Sequence, residues 1–185
     1  MPPHATPVIR TERLHLVATH ERYAEDVFAT FTDEITTYMF PAPAKAIDET
    51  VEFLRSARAA TESGRDLQVV ILHGQSDEFL GHGGIHRLET RTPELGIWIK
   101  LVAHRNGYGM EAVAGLVEWA SANLDFDYLI YPVDRRNAAS RRIPEALGGV
   151  VAAEYKQTNS SGNQLDLLEY RISRSVLRER CEAGL

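Results

Sequence analysis

A glycine-containing segment between a predicted strand and a predicted helix places the strongest constraint on the fold. The segment is HRNGYGMEA, residues 104–112. The strand ELGIWI precedes it, and the helix YGMEAVAGLVEWASANL overlaps its second half. Glycine loses more conformational entropy on folding than other residues, so Gly107 and Gly109 destabilise a helix start unless a turn or a close neighbour requires them. A helix N-terminus has unpaired N–H groups and a positive dipole end, so these glycines indicate that an anion approaches the backbone here.

Two familiar phosphate-binding loops do not fit this segment. A P-loop requires Gly-Lys-Ser/Thr after its glycines, whereas residues 109–111 are Gly-Met-Glu. The dinucleotide fingerprint requires a third glycine where Ala112 stands. Taken alone, the segment is equally consistent with a plain turn. Glu111 is interpreted as structural, because acidic residues favour the first turn of a helix.

The composition excludes several classes of protein. The 185 residues are 44% hydrophobic and 25% charged, with a net charge of −6, which is typical of a water-soluble globule and unfavourable for nucleic-acid binding. No uninterrupted apolar run is long enough to span a bilayer, so we expect no membrane association. The N-terminus lacks the basic and apolar regions of a secretory signal. Cys181 is the only cysteine, which favours a reducing compartment and predicts a cytoplasmic location.

The order of predicted elements gives the fold class. One strand over residues 7–18 is followed by two helices, the second with Asp48 as its N-cap, and by three strands. The helix after the glycines, a strand, a short helix and a final hairpin complete the chain. We expect an α/β (α+β) fold with a mixed, mostly antiparallel sheet of about seven strands and a central β-α-β unit flanked by helices.

The chain is predicted to form one domain over residues 1–185. The expected tails are about residues 1–8 and about residues 174–185. The final hairpin leaves a strand edge exposed, which makes a homodimer a hypothesis.

Five segments in a fixed order resemble the GNAT superfamily of N-acetyltransferases, and in particular the ribosomal-protein alanine N-acetyltransferase subfamily. They are RTERLHLV, EFLGHGGI, ELGIWI, GYGMEA and NAASRRIPEALGG. Together they extend from Arg10 to about Tyr170. The chain departs from the family pattern at His104, where Gln, Arg or Trp is usual, and at Gly149, where an aromatic residue is usual. Pro144 lies in the short helix and predicts a kinked or late-starting helix.

The resemblance implies that acetyl-CoA is the co-substrate, with no metal. Two neighbouring strands would part, pantetheine would pair with backbone near Ile99 and Leu101, and the glycine loop would hold the pyrophosphate. Asn137 would contact the pantetheine amide, its alternative being a turn residue. The implied cofactor-binding residues are Ile99, Leu101, Val102, His104, Arg105, Asn106, Gly107, Tyr108, Gly109, Met110, Asn137 and Ser140.

The resemblance also implies catalytic residues. Glu94 is the candidate general base, and its alternative is an exposed carboxylate at a strand end. Ser140 is the candidate near the leaving thiolate, and its alternative is a helix N-cap. Many relatives use a tyrosine acid in the short helix, and none lies between Tyr131 and Tyr155 here.

The acceptor is expected to be a primary amine, either a protein N-terminus or a small molecule. Candidate acceptor-binding residues are Glu34, Tyr38, His82 and His86, with Asp33 beside them. The histidines have no third ligand at a spacing that favours a metal site. Two alternatives stay open: a non-catalytic acyl-CoA-binding or regulatory module, and a transferase of another acyl group such as succinyl.

Overall fold

The computed structural model describes residues 7–177. Most of the two predicted tails, and Cys181, lie outside these residues. The described chain forms eight strands and five complete α-helices, with single 3-10 turns at Glu21–Tyr23 and Leu101–Ala103, and residues 174–177 are also helical. The strands are β1 Pro7–Arg10, β2 Leu14–Ala18, β3 Leu67–His73, β4 Phe79–His86, β5 Glu94–Ile99, β6 Tyr128–Asp134, β7 Val150–Thr158 and β8 Gln164–Ser173. The helices are α1 Ala24–Thr30, α2 Asp33–Thr36, α3 Ile47–Glu62, α4 Tyr108–Asn123 and α5 Ala138–Ala146.

All eight strands belong to one mixed sheet with the order β1-β2-β3-β4-β5-β6-β8-β7. The β5–β6 pair is parallel and the other neighbours are antiparallel. The α4 crossover joins the parallel pair, because parallel neighbours need a long connection. The predicted mostly antiparallel α/β fold with a central β-α-β unit is confirmed.

The two faces of the sheet bury separate apolar clusters. Since strand side chains alternate between faces, Leu95 and Ile99 of β5 pack with α4 while Trp98 packs with α1 and α3. Helix α5 lies on the α4 face through Ile143 and Leu147. The sheet therefore separates the α4/α5 face from the α1/α3 face, and the two faces connect only where neighbouring strands part.

Three local predictions are wrong. The first strand is a hairpin, β1 and β2, because Thr11 N donates to Leu14 O across a tight turn, and this raises the strand number to eight. The first helix breaks at Phe31, which leaves the helical region at φ −86° and ψ 75°. The N-cap of α3 is Ala46 rather than Asp48, which lies in the first turn.

Helix α5 begins directly after Asn137 and contains Pro144 as its seventh residue. It does not start late. Proline has no N–H, and the helix ends soon afterwards, with Gly148 in the left-handed region at φ 79° and Gly149 N bonded to Pro144 O. Pro144 thus lies near the C-terminus of α5, away from its first turn.

Candidate active site

Strands β5 and β6 part immediately after they pair. Their register contact is Glu94 with Ile130, and Ile130 N donates to Pro93 O over 2.8 Å. Beyond this point the strands diverge, and a cleft with a volume of about 2090 Å³ opens between them. The cleft is lined from both faces of the sheet, by α4 and α5 on one side and by α1–α3 residues on the other.

The loop from His104 to Met110, here called the anion loop, lies at one end of this cleft. Arg105 and Gly107 have positive φ values of 65° and 79°. The backbone N–H groups of residues 105–110 have no acceptor among the residues that the structure describes. Successive N–H groups in alternating right- and left-handed conformations form an anion-binding concavity. The helix dipole of α4 adds to its positive potential.

Gly107 and Gly109 occupy positions with different structural requirements. Gly107 is the N-cap of α4 in a left-handed conformation that side chains rarely adopt. A Cβ at Gly109 would make only ordinary contacts, 3.6 Å from Ile143 Cδ1 and 3.8 Å from Ile99 Cγ1. Packing does not require glycine at 109, so its missing side chain leaves room in the cleft.

The first hairpin holds the anion loop in place. Glu111 accepts hydrogen bonds from the Thr11 hydroxyl, Arg13 N and Arg13 Nε, the last two at 2.7 Å. Arg13 Nη1 also donates to Asn106 O over 3.0 Å, and its guanidinium lies 4.9 Å from the Tyr108 ring centroid. Burial opposes ionisation of Glu111, but the Thr11 and Arg13 contacts outweigh it and lower its pKa. Glu111 is therefore structural, as expected.

Two cations face the cleft near the anion loop. Arg105 and Arg142 line it, and within residues 7–177 neither guanidinium forms an ion pair with an acidic side chain. Unpaired guanidinium groups suit phosphate, which they bind with charge-assisted hydrogen bonds. The sequence does not single out Arg142, because its position in the cleft depends on how α5 packs.

Most of the predicted cofactor-binding residues line the cleft. Leu101, Val102 and Asn106 do not line it, and their role in cofactor binding stays a prediction. Strand β5 ends at Ile99, so Leu101 and Val102 lie in a 3-10 turn, and Val102 is 85% exposed. Asn106 instead stabilises the loop, with Nδ2 donating to Ala103 O and His104 O. His104 Nε2 contacts Ile99 O at 2.7 Å, which joins the loop to the end of β5.

A pair of hydroxyls lies where β6 meets α5. Tyr131 Oη and Ser140 Oγ are 2.9 Å apart, and both residues line the cleft. Burial raises the pKa of Tyr131 to about 12, although the hydrogen bond with Ser140 opposes this shift. Asn137 is the N-cap of α5 and accepts from Ser140 N over 3.1 Å. Ser140 is thus not the cap, and the oxygen of the Asn137 side chain has a structural partner.

Sequence reasoning missed Tyr131 because the family pattern places a tyrosine in the short helix, whereas Tyr131 lies on the strand before it. Tyr131 is two residues from each of the buried residues Leu129 and Val133 on β6, so the period of a strand places all three side chains on the α4/α5 face. This spacing is the sequence signal that points to Tyr131.

Glu94 lies at the start of β5, on the opposite face from Tyr131. Its side chain is 36% exposed, and Arg87 Nη2 donates to its Oε2 over 2.9 Å. It is directly across from His86 on β4. The His86 ring contacts Gln68 Nε2 at 3.0 Å and Asp66 Oδ2 at 3.4 Å through Nδ1. The structure therefore brings together Glu94 and His86, which were predicted for different roles.

The α1/α3 side of the cleft is apolar and aromatic. Phe31, Met39, Phe53 and Trp98 line a region here called the aromatic pocket, in which the Phe31 and Trp98 ring centroids are 4.9 Å apart. Phe53 is 48% exposed. A partly exposed phenylalanine in a concave site is typical of a ligand-binding surface.

The predicted acceptor-binding residues lie in different environments in the structure. Tyr38 lines the cleft, with the Arg136 guanidinium 5.3 Å from its ring centroid. Glu34 is exposed and does not line the cleft, because α2 directs Ile35 towards the α1/α3 cluster. Its role in acceptor binding stays a prediction. His82 is 4% exposed and contacts Thr19 Oγ1 at 2.9 Å. Burial lowers the pKa of His82 to about 4, with His86 adding to the effect.

Neither a metal-binding cluster nor a membrane-spanning helix occurs in the described residues. Across residues 7–177, no group of three or more His, Cys, Asp or Glu side chains has a metal-binding arrangement. No helix in that part of the chain is long and apolar enough to cross a bilayer.

A parted parallel strand pair with a loop of unpaired backbone N–H groups at its end is an arrangement that can hold an anionic ligand, and comparison with known proteins gives the family. A family model described as the acetyltransferase (GNAT) domain matches residues 13–150. The chain therefore belongs to the GNAT acetyltransferase family and is an acyltransferase. The uncharacterized N-acetyltransferase YoaA of Bacillus subtilis (strain 168) is 27% identical over 145 residues, or 77% of this chain and 82% of YoaA.

Solved structures show the same fold. The microcin C7 self immunity acetyltransferase MccE, in complex with acetyl-CoA and AMP, has a TM-score of 0.78 and 15% identity over 88% of this chain and 93% of its own. RimL, a ribosomal L7/L12 alpha-N-protein acetyltransferase in complex with coenzyme A, has a TM-score of 0.78 and 14% identity over 88% of this chain and 95% of its own.

Proposed function

We propose that this protein is an acetyl-CoA-dependent N-acetyltransferase that moves the acetyl group to a primary amine by direct attack in a ternary complex. The observation that carries the proposal is the anion loop, whose six consecutive N–H groups at residues 105–110 lack acceptors within the described chain. Gly109 leaves room beside them, and Arg105 and Arg142 supply positive charge. These features fit a pyrophosphate at the end of a cleft long enough for pantetheine.

When bound, acetyl-CoA supplies a thioester carbonyl that an amine can attack. The Tyr131–Ser140 pair is on the cofactor side of the parted strands and fits the role of stabilising the leaving sulfur. An ordinary thiol has a pKa of about 8.5, whereas that of Tyr131 is about 12. Full proton transfer from this tyrosine to the thiolate is therefore uphill by about 5 kcal/mol. The hydroxyl pair stabilises the thiolate by donating a hydrogen bond.

The acceptor enters from the α1/α3 face. The aromatic pocket favours an amine that carries an apolar or aromatic group next to it, such as an arylalkylamine or a protein N-terminus with an apolar second residue. His86 and Glu94, which pair across β4 and β5, line the same cleft. The two substrates therefore approach from opposite faces of the sheet and meet at its opening.

Calorimetric titration with acetyl-CoA tests the cofactor site. Wild-type protein is expected to bind with micromolar affinity, about −8 kcal/mol. Gly109→Glu should abolish binding, because it places a carboxylate beside the anion loop without requiring a positive φ. Ala114→Glu, on the exposed face of the same helix, is the matched control and should bind normally. If the wild-type protein binds neither acetyl-CoA nor CoA, the proposal is wrong.

A further inference from the structure

Strand β7 is a long sheet edge that the described chain leaves uncovered. It pairs with β8 on one side and ends the sheet on the other. Eight of its nine residues are exposed, among them the large side chains of Val150, Val151 and Tyr155. Within residues 7–177, the backbone of β7 forms no hydrogen bonds outside its hairpin with β8. An edge with a row of unpaired N–H and C=O groups is a template for pairing with another strand.

The opposite edge of the sheet is protected against such pairing, whereas β7 is not. Strand β1 has only four residues, begins with Pro7, and shifts its register with β2 between Pro7 and Ile9. Short length, proline and a bulge are the usual devices that blunt an edge. In β7 the register shift falls near the start, between Val151 and Ala153, and residues 153–158 form a regular ladder without proline. The regular part of β7 is therefore free to accept a further strand.

The charges on β7 select one partner and one register. Glu154 and Lys156 are the only charged residues of the strand, and their spacing of two places them on the same face. Two identical antiparallel strands are related by a two-fold axis that passes through one residue. An axis at Glu154 would set two carboxylates opposite each other, and an axis at Lys156 would set two ammonium groups opposite each other. An axis at Tyr155 instead sets each Glu154 opposite a Lys156, and cross-strand pairs of opposite charge stabilise a sheet.

Both charged side chains are available for a contact across this axis. Lys156 is exposed, and within the part of the chain that the structure describes its ammonium group forms no hydrogen bond or ion pair. Arg135 Nη2 donates to the Glu154 carboxylate, whose side chain is still 59% exposed. A carboxylate accepts several hydrogen bonds at once. Glu154 can therefore keep its contact with Arg135 and also accept from a lysine on a second strand.

We propose that β7 is the interface of a homodimer, in which two copies of the strand pair antiparallel about a two-fold axis at Tyr155 and join the two sheets into one. On the face opposite the charges, Tyr155 lies across from the second copy's Tyr155, and Ala153 lies across from the second copy's Gln157. Tyr155 lines the cleft, so the second copy's Tyr155 lies at the margin of the cleft of the first. The dimer does not depend on the proposed acetyltransferase activity.

Light scattering after size exclusion on the full-length protein tests the interface. Wild type should have twice the monomer mass at micromolar concentrations. Lys156→Glu and Glu154→Lys each set like charges opposite each other, and each should raise the dimer dissociation constant about 10- to 100-fold. An equal mixture of these two variants should dimerise again, because one then carries two carboxylates on the strand and the other carries two ammonium groups. Glu118→Lys, on the exposed face of α4, is the control and should stay dimeric.

Disulfide formation tests the register directly, in a Cys181→Ser background. Tyr155→Cys puts two thiols on the axis, where opposite Cα atoms are about 4.5–5.5 Å apart, within the range that a disulfide spans. Ala152→Cys on the same strand is the control, because Ala152 lies opposite the second copy's Thr158 and far from its own copy.

Mild oxidation should cross-link Tyr155→Cys and not Ala152→Cys. Thermal unfolding of every variant should match wild type, which shows that the changes act on the interface and not on the fold. A monomeric wild type, which would mean that something else covers the edge, overturns the proposal. A dimer that persists in both charge variants overturns it too, as does cross-linking that is equally fast at the two cysteine positions.

Discussion

Arg13 Nε donates to Glu111 Oε2 over 2.7 Å, across 98 positions in the sequence. The contact joins the turn of the first hairpin to the first turn of α4, directly beside the anion loop. It explains why a Thr-Glu-Arg-Leu segment at 11–14 and a Gly-Tyr-Gly-Met-Glu segment at 107–111 occur in one chain. The two segments are halves of one hydrogen-bonded structure that holds the backbone of residues 106–111 in place.

Loss of this carboxylate should weaken cofactor binding. In Glu111→Gln, one acceptor oxygen becomes a donor that faces Thr11 and Arg13, so the loop loses part of its support. We expect the Kd for acetyl-CoA to rise about tenfold, equivalent to about 1.4 kcal/mol. Calorimetry measures the change, and Glu118→Gln on the exposed face of α4 is the control. Equal affinities in wild type and Glu111→Gln would mean that the hairpin does not position the loop.

The hydroxyl pair should affect turnover and not cofactor affinity. Tyr131→Phe and Ser140→Ala each remove one end of the 2.9 Å contact, and each should lower kcat about 10- to 100-fold with an unchanged Kd for acetyl-CoA. The double variant should be little worse than either single variant, because the residues act as a unit.

Tyr128→Phe on the same strand is the control for this pair, since Tyr128 packs under Arg171 and is outside the cleft. Fully additive losses in the double variant would contradict a shared role.

His82 should make the protein less stable in mild acid. Its pKa is about 4 in the folded state and about 6.5 in an unfolded chain, so between these values only the unfolded chain binds the proton. The contribution of His82 to the free energy of unfolding is constant above pH 6.5 and decreases as the pH drops towards 4, where the total decrease is about 3 kcal/mol.

Urea denaturation at a series of pH values gives the free energies of unfolding of wild type and His82→Gln. The difference between them measures the contribution of His82. The stability of the variant should fall less steeply between pH 6.5 and 4. Parallel pH profiles for the two proteins would show that the folded structure does not lower the pKa of His82.

The two loop glycines should respond differently to alanine. Gly107→Ala forces a side chain into φ 79° and should lower the free energy of unfolding by about 1–2 kcal/mol. Gly109→Ala makes ordinary contacts in the folded protein and should leave stability unchanged or slightly higher. It should still weaken acetyl-CoA binding, because its methyl group enters the space beside the anion loop.

Thermal unfolding and calorimetry on both variants separate the two effects. Unchanged cofactor affinity in Gly109→Ala would show that this glycine does not leave room for the ligand.

Local sequence signals were sufficient for the central β-α-β unit and its loop. The alternation in ELGIWI, the glycines and the apolar face of α4 all act within a few residues of one another. The split of the first strand into a hairpin was missed because Thr11 to Leu14 contains no glycine or proline to mark a turn.

Contacts between distant segments were beyond sequence reasoning. The Asp66–His86 contact depends on the register of β3 with β4, and the Tyr131–Ser140 contact depends on how α5 packs on β6. Neither register nor packing angle can be read from a single sequence. Glu34 and Ile35 are adjacent, and only the packing of α2 decides which of them faces the cleft.

Transfer of a labelled acetyl group tests the central claim most directly. Purified protein is incubated with acetyl-CoA carrying a ¹³C-labelled acetyl group and with phenethylamine, spermidine or a short peptide with a free N-terminal alanine, and products are measured by mass spectrometry. The account predicts a labelled amide on at least one amine, formed in equal amount with free CoA and absent with Gly109→Glu. Binding of acetyl-CoA without a labelled amide from any of these amines, or release of CoA with labelled acetate alone, would contradict it.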